Sequence, residues 1–84
     1  MSLENLRKAI KDGKLVIGSE KTEKLLKKGG AKEVFVASNC DEDLKERLKT
    51  YAEISDCKFN VLKENANDIG AICKKPFSIS VCCY

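Results

Sequence analysis

Three short stretches of this 84-residue chain carry side chains with the chemistry to meet a ligand. In the first, Gly18-Ser19 opens a run in which Lys21, Lys24 and Lys28 stand at i, i+3 and i+7. Backbone amides at a helix start favour a phosphate, and that spacing sets three ammonium groups on one helical face. A plain solvated lysine face has the same spacing. The second stretch, Ser38-Asn39-Cys40, offers a carboxamide that both donates and accepts. It can read a base edge, or it can shape the loop as an Asx-turn. The third, Lys74-Lys75-Pro76-Phe77, sets an aromatic ring beside two lysines and a proline. Such a ring can lie against an unstacked nucleotide or simply plug the core. Together these make a phosphate-binding helix start, a polar base reader and an apolar wedge, which suits folded RNA better than a duplex read by a helix in its major groove.

Other chemistries are excluded or weakened by what is missing. The chain has no histidine, so Ser-His and Cys-His nucleophile pairs and histidine-bearing metal sites are out. The pattern G-x-x-x-x-G-K-[ST] is absent, which removes a Walker-type phosphate loop. Glu20 and Glu23 dilute the positive field beside Gly18 and argue against a polyphosphate nucleotide. The remaining carboxylates sit among lysines in the manner of solvated helix faces. Neither an enzyme nor a cofactor is expected. Cys40, Cys57, Cys73, Cys82 and Cys83 are odd in number and show no C-x-x-C spacing. They read as free, mostly buried thiols in a reducing compartment rather than as zinc ligands.

The elements that must position these residues follow from periodicity. Leu3, Leu6, Ala9 and Ile10 predict a first helix, capped at Ser2 and stopped near Asp12-Gly13. Leu15-Val16-Ile17 predicts a strand buried on both faces, and Ser19 a cap for a second helix that ends at Gly29-Gly30. A second buried strand runs from Glu33 to Ser38, and a third helix starts at Cys40 or Asp41 with Leu44, Leu48, Tyr51 and Ala52 as its apolar stripe. Cys57, Phe59 and Val61 alternate as a third strand. Asn65 caps a short helix with Asp68 in a capping-box arrangement, and the final strand sets Ile79, Val81 and Cys83 on one face. Regular alternation of helix and strand predicts a layered α/β domain covering residues 1–84, with helices on both sides of the sheet. The short last helix and its Lys-Lys-Pro connection predict a mixed rather than parallel sheet. No apolar run is long enough to cross a membrane, and no signal-peptide block opens the chain. The net charge of +3 is modest, so its distribution matters more than its size.

Two blocks of wording carry a family resemblance. "LRKAIKDGKLVIGSEKTEKLLKKGGAKEVFVASNC" joins an apolar strand, G-S-x-K-T-x-K and a strand ending A-S-N. "RLKTYAEISDCKFNVLKENANDIGAICKKPFSISV" adds L-x-x-Y-A, N-x-x-x-(I/L)-G and a P-F loop. In this the chain resembles the ribosomal protein L thirty-e family, within the L seven-Ae superfamily of kink-turn RNA binders. The resemblance implies a three-layer α/β/α sandwich with a central mixed four-stranded sheet. It also implies binding to a sharply bent RNA element with sheared G·A pairs and an extruded nucleotide. On that basis Gly18 and Thr22 meet the RNA backbone and Lys24 is a basic position beside it; Ser19, Lys21 and Lys28 join the candidate set from their places in the same turn and on the same helix face. Asn39, followed by Cys40, reads a guanine. Asn67 or Asn65 approaches RNA at the short helix, Gly70 is the family's helix glycine, and Pro76 and Phe77 form the apolar loop that accommodates the kinked strand, with Lys74 and Lys75 preceding it in the chain. The chain departs from the family at Glu20, often a lysine there, and stops at Tyr84 where relatives run a little further. The implied protein is cytoplasmic and non-enzymatic, a monomer off the ribosome. Its partners are large-subunit ribosomal RNA and neighbouring ribosomal proteins, with no membrane. The alternatives are a kink-turn protein of a small ribonucleoprotein, or a protein-interaction module on the same fold.

Overall fold

Helix and strand alternate along the chain as the apolar periodicity predicts. The order is α1 (Ser2–Lys11), β1 (Val16–Ile17), α2 (Ser19–Lys27), β2 (Glu33–Val36), α3 (Glu42–Ile54), β3 (Lys58–Val61), α4 (Ala66–Ile72) and β4 (Val81–Cys83). The computed structural model describes residues 2–84, and side chains from Glu4 onward. The suggested cap at Ser2 and core role of Leu3 therefore lie outside the described side chains.

The strands form one mixed sheet in the order β1-β4-β2-β3. β2 and β3 are parallel, with Val34 opposite Phe59, whereas β4 runs antiparallel to both its neighbours. Two apolar clusters sandwich this sheet. On one side Leu6 of α1 and Ile69 of α4 pack with Phe35 and Cys82. On the other, Leu26 of α2 and Leu48 of α3 pack with Val34, Val36 and Cys83. The fold is an α/β sandwich of three layers, helices on both faces of the sheet. Successive residues of a strand point to opposite faces, which is why Cys82 and Cys83 enter different clusters. Each fully buried leucine in these layers contributes roughly 1.5–3 kcal/mol of transfer free energy.

Four local expectations are corrected. β1 is half-buried, because it is the sheet's edge and β4 alone pairs with it. Ser19 is the first residue of α2 rather than its cap, a place taken by Gly18. β2 ends at Val36, so Ser38 is already in a turn. Ile79 packs with the α1–α4 cluster while Val81 and Cys83 face α2 and α3, because a bend at Ser80 breaks the period of two. On the opposite edge, Val61 is 52% exposed, and it is Asn60 that turns inward, to a carboxylate.

That carboxylate belongs to Glu33, buried on β2 at 3% exposure. Asn5 Nδ2 stands 3.1 Å from its Oε1 and 3.3 Å from its Oε2. Asn60 donates to Oε2 at 2.7 Å, and the Tyr84 hydroxyl donates to Oε1 at 2.7 Å. Buried charge is costly unless hydrogen-bonded, and these donors from α1, β3 and the end of β4 satisfy it. In return the Tyr84 hydroxyl is pushed up to about 12, first by its bond to Glu33, then by burial and by the Glu33 charge.

Helix α4 is fixed by close backbone contact. A Cβ on Gly70 would overlap the Phe77 carbonyl oxygen, so only glycine lets the returning chain lie against the helix. The helix ends in a Schellman turn, Lys75 N–H to Gly70 O at 2.9 Å and Lys74 N–H to Ala71 O at 3.0 Å. Lys74 there adopts φ 58, in the left-handed region where glycine is favoured.

Two melting experiments and one titration test these constraints. Gly70→Ala should destabilise by about 1–3 kcal/mol, since the contact it crowds is backbone. Lys74→Gly should stabilise by roughly 0.5–1 kcal/mol, strain relief exceeding the added freedom of the unfolded chain. The pH dependence follows from Tyr84. Its raised pKa means that the bond to Glu33 contributes stability below pH about 10, which is lost as pH rises through 12. Titrating tyrosinate absorbance in a Tyr51→Phe background should give a midpoint near 12, falling in Glu33→Gln towards the ordinary value.

Candidate nucleic-acid interface

The C-terminal ends of β1, β2 and β3 and the start of β4 meet at one end of the sheet. Gly18 N–H donates to Val81 O at 3.0 Å, Ala37 N–H to Ser80 O at 2.8 Å, and Ser38 N–H to Glu64 O at 2.9 Å. The loops after β1, β2 and β3 are thus tied into one rim. Gly18 sits at φ 116, ψ 147, a conformation closed to other residues, and its carbonyl accepts the Thr22 N–H at 3.1 Å. Among the described residues no side chain caps α2. The amides of its first turn have no intrahelical acceptor, and the exposed Lys21 stands beside them.

Next to this turn lies a hollow of about 540 Å³, lined by Gly18, Ser19, Lys21, Leu44, Phe77 and Ser80 among others. Phe77 is 53% exposed and does not plug the core. Its backbone is held on Gly70, and Ile79 N–H donates to Ala66 O at 2.9 Å. The ring is an apolar wall on a braced loop. Pro76 is exposed beside it.

Asn39 is exposed just past β2. Its Oδ1 accepts the Ala66 N–H at 3.0 Å, at the start of α4. The side chain thus spans two loops rather than closing an Asx-turn. Its carbonyl is committed to the helix, while its Nδ2 carries no hydrogen bond among the described residues. Asn65 caps α4 by accepting the Asp68 N–H at 2.9 Å, as its spacing predicts. Asn67, exposed in the first turn of α4, lies beside them.

The structure does not bring every expected residue to this rim. Thr22 and Cys40 are buried, at 0% and 6% exposure, so neither side chain is available to a ligand. Thr22 points into the core because α2 turns that side to the sheet, where burial pushes the Cys83 thiol up and Thr22 partly offsets it. The contact is weak enough that Thr22 Oγ1 has no hydrogen-bond partner among the described residues. Burial also pushes the Cys40 thiol up, with Lys45 opposing. Lys24 is exposed, and Lys28 forms the C-cap at the far end of α2. Lys74 and Lys75 follow the C-terminus of α4, away from the end that Asn39 holds. The lining roles of Leu44 and Ser80 escaped the sequence reading, since they present as part of a helix stripe and of a strand. The acidic first turn of α3, Glu42 and Asp43 after the cap Asp41, starts at this same end.

The chain resembles known proteins in both sequence and fold. The sequence model of the Ribosomal protein L7Ae/L30e/S12e/Gadd45 family matches residues 2–84. The large ribosomal subunit protein eL30 of Sulfolobus acidocaldarius is 38% identical over 76 residues, which cover 90% of this chain and 73% of that protein. Its counterpart in Archaeoglobus fulgidus is 40% identical over 75 residues, covering 89% and 83%. A solved protein of unknown function from Bacillus halodurans C aligns with a TM-score of 0.81 over 89% of this chain and 74% of its own. At 20% identity that likeness shows the fold alone.

Thr22→Val tests the core position of that residue. Replacing a buried, unpartnered hydroxyl by a methyl of similar shape should raise stability by about 1 kcal/mol and leave RNA binding unchanged. A lower melting temperature would mean that the hydroxyl bonds Cys83 after all.

Proposed function

The chain belongs to the Ribosomal protein L7Ae/L30e/S12e/Gadd45 family, and we propose that it is a cytoplasmic, non-enzymatic RNA-binding protein of the large ribosomal subunit that recognises a kink-turn. The ribosomal part of this reading draws on the eL30 relatives, each named as a large-subunit protein. The kink-turn part draws on the rim. The observation that carries it is the Asn39 side chain, whose carbonyl is anchored on the Ala66 amide while its amino group remains for a ligand. A fixed donor at a sheet end suits an acceptor on a base edge, such as guanine O6 or N7. The amides after Gly18 and the Lys21 ammonium would meet the phosphate backbone, and the Phe77 wall an unstacked base. Large-subunit ribosomal RNA is then the partner, with neighbouring ribosomal proteins around it.

One observation favours a second reading. The acidic start of α3, together with Glu20, places negative charge near the rim. That would suit a basic protein partner, and the same measurements separate the two readings.

Asn39→Asp keeps an acceptor for the Ala66 amide and removes the donors. It should melt close to the parent and lose about 1–3 kcal/mol of kink-turn affinity. The measure is the ratio of kink-turn to straight-duplex affinity, because the added charge weakens both. Asn39→Leu should lose stability as well as affinity. If Asn39→Asp keeps the parent's ratio, base reading fails and the protein-interaction reading gains. Co-sedimentation with ribosomal subunits tests ribosomal against other ribonucleoprotein use.

A further inference from the structure

Lys74 falls away from the rim, while Lys75 lines a hollow that reaches Ile17, the residue before Gly18. A groove of about 430 Å³ runs between the C-terminal halves of α1 and α4, lined by Arg7, Ile10, Lys11, Ile72 and Lys74. A second hollow of about 210 Å³ shares Ile10 with it and brings in Lys75. Arg7, Lys11, Lys74 and Lys75 are all exposed, and Ile10 and Ile72 are half-buried between them. Among the described residues none of the four cations forms an ion pair; the pairs present are Lys27–Glu23 and Lys45–Glu42.

We propose that this groove is a second RNA contact, one that grips the phosphate backbone of a duplex without reading its sequence. Arg7 and Lys11 stand one turn apart on α1, about 6 Å along its axis, and Lys74 faces them across the groove. The bland account, that lysines complement helix C-termini, covers Lys11 and Lys74 one at a time. It does not cover Arg7, which lies within α1, or the convergence of four cations on neighbouring hollows of two helices. Magnitudes agree. Two helix ends bring roughly one negative charge in total, well short of what four cations supply. Asp12 lines a separate cavity with Lys8 and Lys14 rather than this groove. The apolar floor of Ile10 and Ile72 lets the lysine stems lie flat with their heads outward, and Arg7 can fork onto a phosphate. Recognition of duplex RNA through phosphates and shape is the mode such a surface supports. The choice of RNA over another polyanion rests on the proposed function; the existence of a separate basic groove does not.

The test uses Arg7→Gln/Lys11→Gln/Lys74→Gln against a control, Arg47→Gln/Lys49→Gln/Lys58→Gln, which removes the same charge from α3 and β3. Thermal melts first establish that both fold. Against a straight RNA duplex, the groove variant should lose at least about tenfold affinity, and its salt slope should flatten by about 0.9 for each lost phosphate contact. The control should change less than about threefold. Parent protein saturated with kink-turn RNA should still capture labelled duplex, and the groove variant should not. Equal losses in groove variant and control would overturn the proposal. So would displacement of duplex by kink-turn RNA, which would put both on the rim. Binding to phosphatidylserine vesicles through these residues, with no duplex binding, would assign the groove to a membrane surface and also overturn it. If the parent shows no preference for a kink-turn yet the groove variant alone loses duplex, the rim reading fails and this one stands.

Discussion

The sheet depends on three residues. β4, Val81 to Cys83, lies between β1 and β2 and is the element through which they join. Val16 pairs with Cys83 on one side of it, and Val34 pairs with the same Cys83 on the other. Remove β4 and β1 has no partner, while β2 keeps β3 alone. The same short segment organises the rim, since Val81 and Ser80 carbonyls receive the Gly18 and Ala37 amides. Loops that begin at distant points of the chain are brought into register by one piece of backbone.

The opposite end of the sheet is closed by a different physics. There the Glu33 carboxylate gathers neutral donors from Asn5, Asn60 and Tyr84, and the Phe35 and Tyr84 rings stack with centroids 6.0 Å apart. No cation is among its hydrogen-bond partners in the described residues. A carboxylate held by neutral donors is directional in a way that an aliphatic contact is not, so it fixes how α1 and β3 meet β2. The two ends therefore divide the work: fixed geometry at one, an open set of donors at the other.

Much of this was legible in the residues, and the gaps have particular causes. Helix and strand order, the mixed sheet, the Asn65 cap and the split of Cys82 from Cys83 all follow from local periodicity and capping chemistry. Burial of β1 did not, because whether a short apolar run is central or at an edge is set by pairing with a strand far away in the chain. The meeting of Asn60 with Glu33 is not legible either, since nothing local says that these two polar residues face each other. Thr22 followed a motif to the rim and proved to be core, because a motif preserves a residue without saying which way it points. Lys74 and Lys75 were grouped with Phe77 by adjacency. Between them, at Pro76, the chain turns back so that the Phe77 backbone lies against Gly70, and sequence neighbours end up lining different hollows. Asn39 stands exposed just past β2, but that its carbonyl is taken up by the Ala66 amide depends on a loop far away in the chain.

The position of β4 has a bearing on how the molecule assembles in time. It is last in chain order and second in sheet order. Joining Val16 to Cys83 closes a loop of nearly the whole chain, the kind of long-range contact that slows folding. Until it forms, β1 and one flank of β2 present unpaired backbone, the template on which strands from other chains add. A chain in which β4 has not yet inserted is thus open to misassociation, and the completed sheet hides that template. The nascent chain's exposure to chaperones should accordingly end late and abruptly, when β4 inserts, rather than fade as each helix packs.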